Sequence, residues 1–133
     1  MMSAVDSSVL LDVLVDDTQH AAKSENLLRT AAQDGRLVVC DCVVAEVFPA
    51  VGSTARLRDF MSDWHLVYIP TDEETALLAG EKFDHYLKRG GRSGRVLPDF
   101  LIGAHAMRHA DRLLARDRGY LRDYFKGLTV LAS

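Results

Sequence analysis

SAVDSSVLLDVL, residues 3–14, decides how the rest of the chain is read. It opens as a short strand over roughly 3–6 and turns into a short helix over about 8–15. Ser7 or Ser8 can cap that helix, and Asp6 closes the strand. In open α/β sheets, binding and catalytic sites sit beyond the carboxyl ends of the strands. An acid at such a place has a bland use, helix capping, and a chemical one.

The remaining segments repeat the alternation of strand and helix. DDTQHAAKSENLLRTAAQDG predicts a helix over about 19–33, with Ala21, Ala22, Leu27, Leu28, Ala31 and Ala32 as its apolar positions and Gly35 as its stop. RLVVCD reads as a strand, and CVVAEVFPAV as a helix that Pro49 ends or kinks. TARLRDFMSDW predicts a helix over about 54–63, followed by the strand HLVYIP. TDEETALLAGEKFDHYLKRG is the clearest amphipathic helix, capped by Thr71 or Asp72, its stripe made of Ala76, Ala79, Phe83 and Tyr86 or Leu87. GGRSGR, residues 90–95, is a basic loop, and LPDFLIGAHAM leads into a helix over 99–110. RLLARD is a strand, RGYLRDYF a short helix and LTVLAS a last strand. Alternating strands and helices predict an α/β sandwich around a mostly parallel sheet.

Bulk properties fit this reading. The 133 residues suit one domain, 1–133, with a real core. No run approaches the roughly 18 uncharged apolar residues of a spanning helix. Asp6 and Asp12 interrupt the apolar start and no Lys or Arg precedes it, so it is a poor secretory signal and the cytoplasm is the expected compartment. Cys40 and Cys42 lack the spacing of a zinc knuckle or a redox pair and read as reduced, small apolar residues. Charge is unevenly spread: residues 1–81 carry a net of −9 and residues 82–133 a net of +6. An acidic pocket beside a basic surface suits a polyanionic substrate held over metal ions.

Four acids stand out: Asp6, Asp117 after RLLAR, Asp99 at a helix start after Pro98, and Glu46 one helical turn past LVVCD among Val43, Val44, Ala45, Val47 and Phe48. Each alone can cap a helix, pair with an arginine or face solvent. Together in one cleft they repel one another, and Mg²⁺ or Mn²⁺, which take oxygen ligands, compensate them well. Asp12, Asp16 and Asp17 are weaker candidates, with Asp12 at a rim or paired with an arginine. His105 and His109 form no HExxH and read as surface or half-buried helix residues. No P-loop, dinucleotide fingerprint or GxSxG elbow is present.

AVDSSVLLDVL, CVVAEV, LPDFLIGAHA and LLARD resemble, in order and across nearly the whole chain, the four acidic blocks of PIN domains, closest to the VapC-type toxins of toxin–antitoxin pairs. The resemblance implies a PIN-like three-layer α/β/α sandwich and a Mg²⁺- or Mn²⁺-dependent endoribonuclease. It places the family's acids on Asp6, Glu46, Asp99 and Asp117, as catalytic and metal-binding residues, with Ser7 or Ser8 as the supporting hydroxyl. It also implies an RNA substrate, a homodimer and a cognate VapB-type antitoxin, whose arginine often reaches the acidic pocket. Many members carry Thr or Ser two residues before the last acid, where this chain has Ala115; that departure keeps open an inactive protein- or RNA-binding module. Arg116, Arg118, Arg92, Arg95, Lys88 and Arg89 are the candidate contacts to RNA phosphates.

Overall fold

The computed structural model describes residues 1–92, 94, 96–116 and 119–132, less the side chains of Tyr120 and Arg122. In chain order the elements are β1 (Met2–Val5), α1 (Ser7–Leu14), α2 (Ala21–Asp34), β2 (Arg36–Val39), α3 (Asp41–Val51), α4 (Thr54–Asp63), β3 (Leu66–Tyr68), α5 (Glu73–Lys88), α6 (Leu97–His109), β4 (Arg112–Ala115), α7 (Gly119–Tyr124) and β5 (Val130–Ala132). The described strands form one parallel sheet in the order β3-β2-β1-β4-β5. β1 is central, pairing Ala4 with Val38 on one side and with Leu113 on the other.

That order has a chemical consequence. Steps from β1 to β2 to β3 cross the sheet one way, and the steps to β4 and β5 lie on the other side of β1. Parallel crossovers are nearly always right-handed. The two series therefore cover opposite faces, giving the α/β/α sandwich, and the chain leaves β1 and β4 in opposite directions. The gap between those two carboxyl ends is the switch point at which such sheets bind ligands. Asp6 stands there, its backbone N–H donating to the Leu114 carbonyl at 2.9 Å.

Packing follows from strands apolar on both faces. Val5, Leu37, Val38, Val39, Leu113 and Leu114 are buried to within about 1% of full burial, as a doubly covered parallel sheet requires. α5 and α6 lie antiparallel: Thr75 near the start of α5 meets His109 at the end of α6, and the Tyr86 and Phe100 rings lie 5.4 Å apart toward the opposite ends. Phe100, wholly buried, also meets Phe83, Tyr124 and Phe125. Gly103 lets α7 approach, because a Cβ there would stand 2.7 Å from Leu121 and Phe125.

Several local expectations need correcting. α3 runs through Pro49 to Val51 and is ended by Gly52, in the left-handed region at φ 73°, whose N–H reaches the Phe48 carbonyl at 2.8 Å. A proline in the last turn removes one helical donor beside solvent, too little to stop the helix. On α2 the buried positions are Ser24, Leu28 and Ala31, while Ala22 and Ala32 are exposed. On α5 Ala76 and Leu87 are exposed, and Thr75 joins Ala79 and Tyr86 in the buried stripe. In both helices a small hydroxyl with a partner to bond displaces an alanine from the packed face. His105 is fully buried rather than half-exposed, and its Nε2 donates to the Ile69 carbonyl at 2.7 Å. Burial holds this imidazole below its ordinary pKa.

Truncating the centre of the aromatic cluster, Phe100→Ala, is expected to cost about 3–5 kcal/mol. Chemical denaturation checks this as a lower midpoint at unchanged slope.

Candidate active site

Asp6 sits between β1 and α1 and is itself the helix cap; Ser7 and Ser8, expected in that place, are the first two residues of the helix. Its carboxylate accepts the Ser8 N–H at 3.2 Å and also the Ser8 hydroxyl. The hydroxyl in turn accepts the Arg116 backbone N–H at 3.1 Å. Ser8 thus joins the end of β4 to Asp6. Ala115, where a hydroxyl is expected by resemblance, is buried in β4; the bridging hydroxyl comes from α1 instead.

Glu46 reaches the same corner from α3. Ser7, next to Asp6 in the chain, donates its hydroxyl to Glu46 Oε1 at 2.9 Å. Glu46 is exposed in spite of its apolar neighbours, because the helix turns Val43 and Val47 inward and leaves position 46 at the rim. Asp99 is half-buried in the first turn of α6, two residues inside its start, so it is not the cap; that place belongs to Val96. An acid there is favoured by the helix dipole. α6 packs on β1 and on α3. Burial first, and then the charges of Glu46, Cys40, Asp41 and Asp99, push the Cys42 thiol up to about 12. One side chain on α3 therefore feels both Glu46 and Asp99. Asp117, the fourth expected acid, lies outside the described residues. So do Arg95 and Arg118.

Among the described residues no three His, Cys, Asp or Glu side chains converge closely enough to hold a metal ion. The chemistry of the corner still selects among metals. Its groups are carboxylates and hydroxyls, and the one nearby thiol stays protonated at neutral pH. Hard oxygen donors without a thiolate fit Mg²⁺ or Mn²⁺ and do not fit a soft ion.

Two acids outside the expected set are held firmly. Asp12, wholly buried, accepts from Ser24 Oγ at 2.7 Å and from Arg116, through Nε at 3.3 Å and through Nη2. Burial raises its pKa, but the Arg116 and Ser24 hydrogen bonds and the Arg116 charge outweigh it and the net shift is downward. Asp12 is thus the partner of an arginine, as its place within the first helix allowed. Asp41, in the first turn of α3, accepts the Thr71 hydroxyl at 2.6 Å and the Thr71 N–H at 3.3 Å, tying the segment after β3 to α3. Burial works against its ionised form, and these bonds prevail, lowering its pKa. Sequence reasoning passed over Asp41; its signal is an acid just past a strand end, one residue further on than Asp6 is.

The candidate phosphate contacts are variously engaged. Lys88 pairs with Asp84 at 2.8 Å on the surface and Arg89 lies 5.6 Å over the Tyr124 ring, while Arg92, an exposed residue, donates its backbone N–H to the Tyr86 hydroxyl.

These placements have measurable consequences. Removing a nearby negative charge eases thiolate formation, so Glu46→Gln is expected to speed alkylation of Cys42 at fixed pH, and Asp99→Asn to speed it less. Mass spectrometry of the labelled chain reads both rates. For Asp41 the folded pKa lies below the ordinary 3.8. The unfolded chain then takes up the proton first as pH falls, and stability present above about pH 4 is lost through the folded pKa. Thr71→Val raises the folded value toward 3.8, and is expected to lower stability at neutral pH and to flatten its decline in acid, as read by denaturation at pH 2–7.

Comparison with known proteins agrees with this fold. The PIN domain family matches residues 4–126. No curated protein matches by sequence. Among solved structures, the chain is similar to VapBC2 from Rickettsia felis bound to a DNA fragment from their promoter, with a TM-score of 0.77 at 19% identity, covering 100% of this chain and 99% of that one. It is also similar to VapBC-1 from nontypeable Haemophilus influenzae, with a TM-score of 0.71 at 17% identity, covering 99% and 98%. A toxin–antitoxin complex from Klebsiella pneumoniae gives a TM-score of 0.63 at 15% identity, covering 98% and 96%. Identities this low speak for the fold. With the family match spanning nearly all of the chain and acids standing at the switch point of its sheet, the chain belongs to the PIN-domain family.

Proposed function

We propose that this PIN domain is the toxin of a toxin–antitoxin pair, a Mg²⁺- or Mn²⁺-dependent endoribonuclease that a cognate VapB-type antitoxin inhibits. The observation that carries the reading is the corner at the β1–β4 switch point, where adjacent serines hold Asp6 and Glu46 by their hydroxyls. The likeness to chains of VapBC and toxin–antitoxin complexes supports the partner and the toxin role. The metal would be held by Asp6, Asp99 and Asp117, with Glu46 beside it. When bound it offsets the mutual repulsion of the carboxylates and the charge that gathers on a scissile phosphate.

Glu46 has the work of orienting the attacking water and taking its proton. Ser7 holds Oε1 by a hydrogen bond, while the exposed position of Glu46 lets water approach. The water oxygen bonds to phosphorus in line with the departing 3′ oxygen, the P–O3′ bond breaks, and the 3′ oxygen picks up a proton. The products are a 5′-phosphate and a 3′-hydroxyl. Lys88, Arg89 and Arg92, with Arg95 and Arg118, offer a basic surface for RNA phosphates. The active form is a homodimer. Ala115 favours a second reading, a weak or inactive module that binds protein or RNA without cutting it.

Incubation of the purified chain with a mixed RNA pool and Mn²⁺ separates the two readings by whether cleavage occurs. Under the nuclease reading Glu46→Gln lowers kcat by about 10²–10⁴-fold, as loss of a general base does. Asp99→Asn abolishes cleavage while far-ultraviolet circular dichroism stays unchanged. An Asp99→Asn variant that cuts at the original rate overturns the assignment.

A further inference from the structure

We propose that Arg116 is a positioning residue for the nuclease site, clamped by one face of α1 so that the carboxyl end of β4 is fixed against Asp6. The inference rests on the nuclease reading above. Ser8 and Asp12 are four residues apart on α1 and so share a face. That face grips residue 116 twice: Ser8 accepts its backbone N–H at 3.1 Å, and Asp12 accepts its guanidinium through Nε and Nη2. Ser24 adds a third tie, from α2 to the same Asp12 oxygen that Arg116 Nε reaches.

Asp12 is wholly buried, and a buried carboxylate is costly unless a charge and hydrogen bonds satisfy it. Arg116 could leave for an RNA phosphate only by stranding that carboxylate. Its guanidinium is therefore committed to the protein interior side of the corner, although the side chain is 40% exposed. What the pair gives in return is placement. The bidentate fork sets the orientation of residue 116, and with it the start of the segment that carries Asp117 in sequence. Ser8, held by the same residue, passes the constraint on to the Asp6 carboxylate.

Positioning and phosphate contact leave different kinetic traces. The test compares the full-length wild type with Arg116→Lys, Arg116→Ala, Asp12→Asn and Ser8→Ala, each well below its own melting temperature. It measures kcat and KM on RNA, the salt dependence of KM, the Mn²⁺ concentration for half-maximal rate, and the rise in melting temperature that Mn²⁺ produces. Groups that orient metal ligands typically change metal affinity by about 10–100-fold. Arg116→Lys and Asp12→Asn are expected to lower kcat and raise the half-maximal Mn²⁺ concentration by about 10-fold, to shrink the Mn²⁺-induced melting shift, and to leave KM and its salt slope unchanged. Lysine, which keeps the charge without the fork, retains more activity than alanine. An unchanged kcat with a raised KM and a salt slope reduced by about 1 makes Arg116 a phosphate contact and overturns the proposal. Unchanged values throughout overturn it as well. Should Arg116→Ala fail to fold, Arg116→Lys and Ser8→Ala decide. A wild-type chain that binds Mn²⁺ but cuts no RNA sinks the nuclease reading alone, and the melting shifts of the variants then decide the positioning role. A wild-type chain that neither cuts nor responds to Mn²⁺ overturns both.

Discussion

Everything at the candidate site depends on β1 being paired on both sides. A central strand flanked by β2 and β4 in parallel register has its carboxyl end fixed by ladders on either hand. The chain turns opposite ways on leaving β1 and β4, and no helix can close over the gap between them. Asp6, whose backbone N–H still belongs to the β4 ladder, is the last residue so fixed. Its side chain does two things at once. It caps α1 and it faces the gap. Capping and chemistry are often set against each other as explanations of an acid at a strand end. Here the capping bond orients the carboxylate that a site there needs.

Much of this architecture was legible in the residues. The strands RLVV and RLLA and the turn at Asp6 follow from short apolar runs bounded by acids or glycine, and parallel pairing follows from apolarity on both faces. Caps that rest on one short-range bond, such as Asp72 to the Thr75 N–H at 2.8 Å, were legible too. Positions that depend on a partner far along the chain were not. Ala76 is the more apolar of the two neighbours, and only the meeting of α5 with Arg108 and His109 makes the Thr75 hydroxyl the inward residue. His105 reads as a polar helix residue until the Ile69 carbonyl arrives from the end of β3. Pro49 reads as a terminus or a kink because its cost is counted locally; as a terminus it fails, since α3 runs two residues further before Gly52 ends it.

The same distinction divides the site. Asp6, Glu46 and Asp99 each carry a local signal: an acid at a strand end, an acid amid valines, an acid behind a proline. Asp6 is held by its neighbour Ser8, but the tie on Glu46 and the clamp on Arg116 come from far along the chain. Ser7 and Glu46 are 39 residues apart, and Arg116 and Asp12 are 104 apart. Pattern reading therefore finds which groups are unusual, while the long-range bonds that hold Glu46 and Arg116 appear only once the sheet has brought its strand ends together. Arg116 illustrates the difference. Beside an acid in a basic half of the chain, it reads as a phosphate contact; folded, it neutralises a buried aspartate.

Ala115 is the clearest departure from the pattern that the acidic blocks resemble, and the fold limits what it can mean. A hydroxyl at that position would project from β4, and its loss would matter most if nothing else linked β4 to Asp6. In this chain the link runs the other way, from the Arg116 backbone N–H through Ser8 to the Asp6 carboxylate. A backbone donor is present whatever the side chain, and an ion pair to the buried Asp12 on the adjoining turn of α1 holds it in place. The constraint that the strand side chain would have supplied is supplied by the helix. Ala115 thus argues against one particular contact, and the connection between strand end and carboxylate is made without it.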